Sequence, residues 1–190
     1  MLSVSNVKVY GLEDSIKAAK YPKSVDISRL NSELTSGIKS LAQSSLGEGH
    51  DNWLNGCTVH FDLTASNKFW VEMERYHFID FVSSQSTMHC ITKFDLDKSY
   101  NKYVDKRMVE IMKEKVKEYN AADEAHKPEL YLCILYSNPA GFELTARMTT
   151  NYRQLKTIYR QRKNHRLNEW KDFCRWIKEE LPMSYLITGE

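Results

Sequence analysis

The chain has 190 residues, with 27 Lys and Arg against 25 Asp and Glu and a formal net charge of +2. That length suits one domain over residues 1–190 with a substantial core, and so balanced a surface carries no global field for capturing nucleic acid or a membrane. No apolar run approaches the roughly 18 residues of a membrane span, and the amino terminus lacks the basic-then-apolar layout of a secretion signal, so we expect a soluble, cytoplasmic protein.

Val7-Lys8-Val9-Tyr10 alternates as a short strand closed by Gly11, and Glu13 to Lys20 reads as a brief helix ended by Pro22. From Ile27 to Leu46, Leu30, Leu34, Ile38, Leu41 and Ala42 recur at three- and four-residue steps, the stripe of a helix that Gly47 and Gly49 stop. Val59, Phe61 and Leu63 alternate with polar neighbours as a half-buried strand, on whose outward parity His60 is expected to be structural or solvated. Ser66 or Asn67 can cap a helix from Lys68 to about Arg75, and a second strand is expected over residues 86–94.

Tyr100 to Ala122 predicts an exposed helix with Tyr103, Met108, Ile111, Met112 and Val116 as its apolar stripe. Pro128 opens further helical turns through Leu135, Asn138-Pro139-Ala140-Gly141 is turn chemistry, and Phe142 to Met148 alternates as a strand. A last helix, from about Leu167 to Leu181, buries Trp170, Phe173, Cys174 and Ile177. The four cysteines, Cys57, Cys90, Cys133 and Cys174, lie far apart with no Cys-x-x-Cys pair. They predict no metal site and no disulfide framework, and all four are expected to be small buried hydrophobes.

Two stretches are more polar than a core requires. The first, Glu74-Arg75-Tyr76-His77-Phe78-Ile79-Asp80-Phe81-Val82-Ser83-Ser84-Gln85-Ser86, follows the apolar run Phe69-Trp70-Val71-Glu72-Met73. In the second, Thr149 or Thr150 can cap a helix whose first turn, with Asn151 and Arg153, favours an anion. Residues 153, 156, 160, 162, 163 and 166 are all Arg or Lys, with His165 among them. They span more than one helical face, which speaks for a solvated basic surface or a small-molecule site over a nucleic-acid stripe.

The first stretch resembles the signature of the flavin-dependent thymidylate synthases, Arg-His-Arg, then seven residues and a Ser, with Asn-Glu just before that Ser. Tyr76-His77-Phe78 takes the place of Arg-His-Arg, and Ser83-Ser84-Gln85-Ser86 that of Asn-Glu-x-Ser, so that His77 and Ser86 survive. The second resembles the family's Thr-x-Asn-x-Arg-Ser-Leu, with another Arg nine residues on: Thr149, Asn151, Arg153, Leu155 and Arg162 agree over fourteen positions. The resemblance covers roughly residues 12–180, and its Gly-His-x-x-aromatic turn before a strand matches Gly49-His50-Asp51-Asn52-Trp53.

The resemblance implies an α+β fold, a small antiparallel sheet flanked by helices in which residues 58–63, 86–94 and 142–149 pair. It further implies a homotetramer with sites shared between subunits, and FAD as cofactor with NADPH and methylenetetrahydrofolate as co-substrates. It puts Arg75, Ser84, Gln85, Ser86 and Arg162 on a uracil nucleotide, with Arg162 also catalytic, and His77, Asn151, Arg153 and His165 on the flavin. Tyr76, Phe78 and Met88 stand where the family has arginines, with Arg75, Lys93 and Arg147 as candidate replacements. A charge-assisted hydrogen bond contributes about 1.5–3 kcal/mol, so a second reading stays open beside the enzyme: a non-catalytic module that binds a nucleotide or another ligand.

Overall fold

The computed structural model describes residues 2–189. Its sheet has four strands, β1 (Ser3–Tyr10), β2 (Thr58–Ser66), β3 (Ile79–Ser84) and β4 (Glu143–Asn151), in the order β1-β2-β4-β3 with all neighbours antiparallel. The helices are α1 (Leu12–Ala18), α2 (Ser36–Gln43), α3 (Asn67–Met73), α4 (Thr87–Cys90), α5 (Lys106–Ala121), α6 (Lys127–Ser137), α7 (Tyr152–Arg162), α8 (Asn168–Glu180) and α9 (Tyr185–Thr188). This is the α+β architecture expected from the sequence, with a small antiparallel sheet flanked by helices.

Register explains why β2 and β4 were legible. Val59, Phe61 and Leu63 lie opposite Thr150, Met148 and Ala146, so both strands send the same parity inward. Phe61 meets Phe173 and Trp176 of α8 at centroid distances of 5.9 and 4.9 Å, and Phe69 of α3 meets Trp170 at 4.4 Å. A smaller core joins Ile91, Leu96 and Phe142 to Met112 of α5 and Ile134 of α6. The outward parity is polar: Thr64 and Thr145 share a hydroxyl hydrogen bond of 2.7 Å, Arg147 pairs with Asp62 at 3.1 Å, and His60 is half-buried with its ring edge on Tyr10.

β1 begins at Ser3, earlier than the expected residue 7, and continues through a break in register between Ser5 and Lys8 where Asn6, at φ 49°, takes the left-handed conformation. At Gly11, with φ 70°, a Cβ would come within 2.5 Å of the Gly56 carbonyl oxygen, so this turn needs glycine. Ser66 caps α3, its hydroxyl accepting from Phe69 N at 3.2 Å and donating to Glu169 Oε2 at 2.6 Å.

Several expectations are corrected. The third strand is residues 79–84, not 86–94. The Gln85 side-chain amide accepts from Thr145 N at 2.9 Å and closes the ladder, after which α4 and a 3-10 turn carry Ile91 into the second core. The stripe over residues 27–46 is helical only in α2, which Thr35 caps; a separate 3-10 turn occupies Ile27–Arg29, capped by Asp26. The helix expected from Tyr100 begins at Lys106, and of its stripe only Met112 is fully buried.

The cysteines divide. Cys57 and Cys174 are buried, and burial raises their thiols to about 11 and about 12, whereas Cys90 is half-buried and Cys133 is exposed on α6. A limiting dose of iodoacetamide at pH 8 is expected to label Cys133 first and to leave Cys57 and Cys174 unmodified until the chain unfolds. Peptide mass mapping that found Cys57 labelled in the native protein would contradict this burial.

Candidate functional site

α7 starts where β4 ends. Its cap is Asn151, not Thr149 or Thr150: Asn151 Oδ1 accepts from Gln154 N at 2.9 Å, and both threonines remain in β4. Thr150 instead donates from its hydroxyl to the Phe78 carbonyl at 2.7 Å, fastening the first polar stretch to the second. Arg153 and Arg162, nine residues or two and a half turns apart, face different surroundings.

The Arg162 surroundings centre on Glu72, a buried carboxylate. Glu72 Oε2 accepts from Trp170 Nε1 at 2.9 Å and from Arg162 Nη1 at 3.5 Å, with His165 Nε2 at 3.6 Å, while Oε1 pairs with Lys68 at 3.1 Å. Burial works to raise the Glu72 carboxyl, but its bonds to Trp170 and Lys68 outweigh that and hold it below the ordinary range. Arg162 lies 4.7 Å from the Trp170 ring centroid and donates from Nε to the Tyr76 hydroxyl at 2.8 Å; Tyr76 in turn donates to Gln161. The His165 Nδ1 accepts from Leu167 N, which leaves the Nε2 proton for Glu72.

Asn151 and Arg153 line a separate cleft of about 500 Å³ with Gln154 and Thr157 of α7, Phe78, and the loop residues Leu46, Gly47 and Asn55. Arg153 Nε donates to Asp51 Oδ1 at 3.0 Å, and the buried Lys156 ammonium pairs with the other Asp51 oxygen and donates to the Ser44 carbonyl at 2.8 Å. Burial pushes the Asp51 carboxyl up, but two cations more than offset it and the group ends below its ordinary range; Lys156 is pulled down, mainly by its own burial. Two cations on one carboxylate leave this wall positive. Phe78 is 67% exposed, so its ring face stays free. A flat ring carrying an anionic group fits these residues, with Phe78 for the ring and Arg153 for the charge.

Gln85 and Ser86 line a third, small cavity of about 190 Å³ with Cys90, Phe94 and Lys93. Of the three candidate replacements for the missing arginines, Lys93 is therefore the one beside Ser86. Arg147 is held on the sheet by Asp62 and the Asn6 carbonyl, and Arg75 is exposed without an ion pair among the described residues. Ser84 ends β3, and His77 is exposed, which excludes a core histidine. The chain thus brings Arg162 together with His165, and Asn151 with Arg153, but keeps both pairs apart from Gln85 and Ser86. Sequence reading missed Glu72 and Asp51. A carboxylate inside the apolar run Phe69 to Met73 was the signal for Glu72; nothing local marks Asp51, whose partners lie 102 and 105 residues away.

Among solved structures, a thymidylate synthase X from Helicobacter pylori with FAD and dUMP superposes over 100% of this chain and 98% of its own, with a TM-score of 0.71 at 12% identity. A second structure of the Helicobacter pylori enzyme, complexed with FAD and dUMP, gives 0.72 over 99% and 98%, also at 12% identity. The chain has the flavin-dependent thymidylate synthase fold. A UMP/dUMP methylase, PolB from Streptomyces cacaoi bound with 5-Br dUMP, shares this synthase fold at a TM-score of 0.61 and 14% identity, over 94% of this chain and 88% of that one. No family description matches the sequence, and no curated protein does. Of the two aromatic residues flanking His77, Tyr76 is engaged by Arg162 and Phe78 shares the cleft of Arg153. Among the described residues no helix is long and apolar enough to cross a membrane, and no group of His, Cys, Asp and Glu could hold a metal ion.

Proposed function

We propose that this protein is a flavoprotein that binds a uracil nucleotide and methylates its C5, with methylenetetrahydrofolate as the carbon source. The observation that carries the reading is the way α7 brackets the signature turn: Arg162 engages Tyr76 at 2.8 Å on one side, and Arg153 shares a cleft with Phe78 on the other. Two stretches that resemble the synthases separately are thereby one structural unit, in a fold whose solved neighbours hold FAD and dUMP. FAD, when bound, supplies the hydride relay from NADPH. Asn151, Arg153 and Phe78 would hold it, with His77 and His165 at its margins.

For the nucleotide, Arg162 offers Nη2, which has no partner among the described residues, to a uracil oxygen, and Ser84, Gln85, Ser86 and Arg75 belong to the same ligand. Lys93 supplies the phosphate charge that Tyr76, Phe78 and Met88 no longer do. Because the three clusters stand apart in one chain, the reading needs sites completed by neighbouring subunits of a cytoplasmic homotetramer. Support comes from apolar surface at Phe78, Phe81, Val82 and Met88 near the edge strand β3, and at Leu132 and Tyr136 on α6. Light scattering is expected to give four times the 22.3 kDa chain mass; a monomer at micromolar concentration would remove the shared site.

A specific observation favours the alternative, a binding module without turnover: Glu72 neutralises Arg162, and no arginine replaces the signature pair. Purified protein is expected to be yellow with a flavin absorption spectrum, and to form dTMP from dUMP when given NADPH and methylenetetrahydrofolate. A ligand bound without product selects the module. Protein that binds neither flavin nor nucleotide would sink the enzyme and leave only a module for another ligand.

A further inference from the structure

None of the residues assigned above to the nucleotide or the flavin lines a further cleft, of about 550 Å³, between residues 98–103 and the first turns of α8. Its volume falls in the roughly 300–1,000 Å³ range of small-molecule sites. The Tyr103 hydroxyl accepts from Asn168 Nδ2 at 3.0 Å, which ties the loop to the helix, yet Tyr103 remains 70% exposed and offers its ring. Leu2 and Leu167 add apolar surface.

The charges of this cleft divide into engaged and free. Glu169 gives both oxygens to Ser66, Asp172 pairs with Arg175 at 3.0 Å, Glu143 has a partner of its own, and Lys98 pairs with Asp95 at 2.8 Å. That leaves Lys102 and Lys171, whose ammonium groups have no carboxylate partner among the described residues; Lys102 lies 5.2 Å from the Tyr103 ring centroid. Two free cations beside an exposed ring select against cationic and neutral polar ligands, and they suit one that carries a ring and an anion together.

We infer that this cleft binds a small ring-bearing anion, with its ring against Tyr103 and Leu167 and its negative group on Lys102 and Lys171. Phenyl phosphate is the probe, titrated into the full-length protein by calorimetry, with inorganic phosphate and phenol as separate arms. Phenyl phosphate is expected to bind at least about tenfold more tightly than either fragment, and the Lys102→Ala/Lys171→Ala double variant to lose about tenfold or more of that affinity. Tyr103→Ala should weaken binding similarly, whereas Tyr103→Phe, which keeps the ring, should not. Equal affinity in the parent protein and the double variant overturns the inference, as does an affinity for phenyl phosphate no higher than that for inorganic phosphate or phenol. Both lysines lie at the surface of the cleft, so the double variant is expected to melt with the parent protein. The readout uses no flavin and no turnover, so it fails or holds independently of the methyltransferase reading.

Discussion

Arg162→Ala is expected to leave flavin bound and to lower turnover about a hundredfold or more, the effect of removing one preorganised donor from charge that develops on the uracil. The structure adds a reason why the variant should still fold. Glu72 keeps Trp170 Nε1 at 2.9 Å and Lys68 at 3.1 Å, so the buried carboxylate is not orphaned when the guanidinium goes. Arg162→Lys should not rescue, because a point charge cannot both hold Tyr76 through Nε and present a second nitrogen from a planar fork. Steady-state assays, with flavin absorbance as the control, separate the outcomes. If the alanine variant retains both nucleotide affinity and activity, Arg162 is only a packing residue over Trp170, and the carboxyl-terminal half of the proposed site should be abandoned.

The other large effect is on stability. Asp51→Ala leaves Lys156 buried without its counter-ion, and breaking a buried pair from one side typically costs about 3–5 kcal/mol. Urea unfolding at fixed protein concentration should show it as a lower midpoint with an unchanged slope. Lys156→Met should cost less, because Asp51 then still has the partly exposed Arg153. The pH dependence follows from the direction of the Asp51 shift. Its folded value is depressed, so its contribution is complete above the ordinary aspartate value of about 3.9 and is lost as the pH falls toward the folded value. Asp51→Asn should therefore flatten the acid limb of stability below about pH 4 while lowering stability at neutrality. An acid limb as steep as the parent's would show that other carboxylates control it.

Some of this protein was determined by its sequence alone. β2 and β4 could be read because each buries one face, and a two-residue period then has to appear in Val59, Phe61 and Leu63 and again through Ala146 and Met148. The Ser66 cap was equally legible, as was the opposition of Arg153 to Arg162, since both depend only on neighbours within a few turns. Tertiary structure decided what local pattern could not carry. β3 is an edge strand with a register break between Phe81 and Ser83 and exposed apolar residues on it, so no inward parity marked it, and residues 86–94 looked more like the strand than it did. The partners of the candidate site were hidden for a related reason. Whether Arg162 meets Glu72, Arg153 meets Asp51, or Lys93 stands beside Ser86 depends on how α3, α7 and the loops pack. A charged side chain chooses its counter-ion by proximity in space, and those pairs of α7 join residues 90 and 102 positions apart, a separation that no periodicity records.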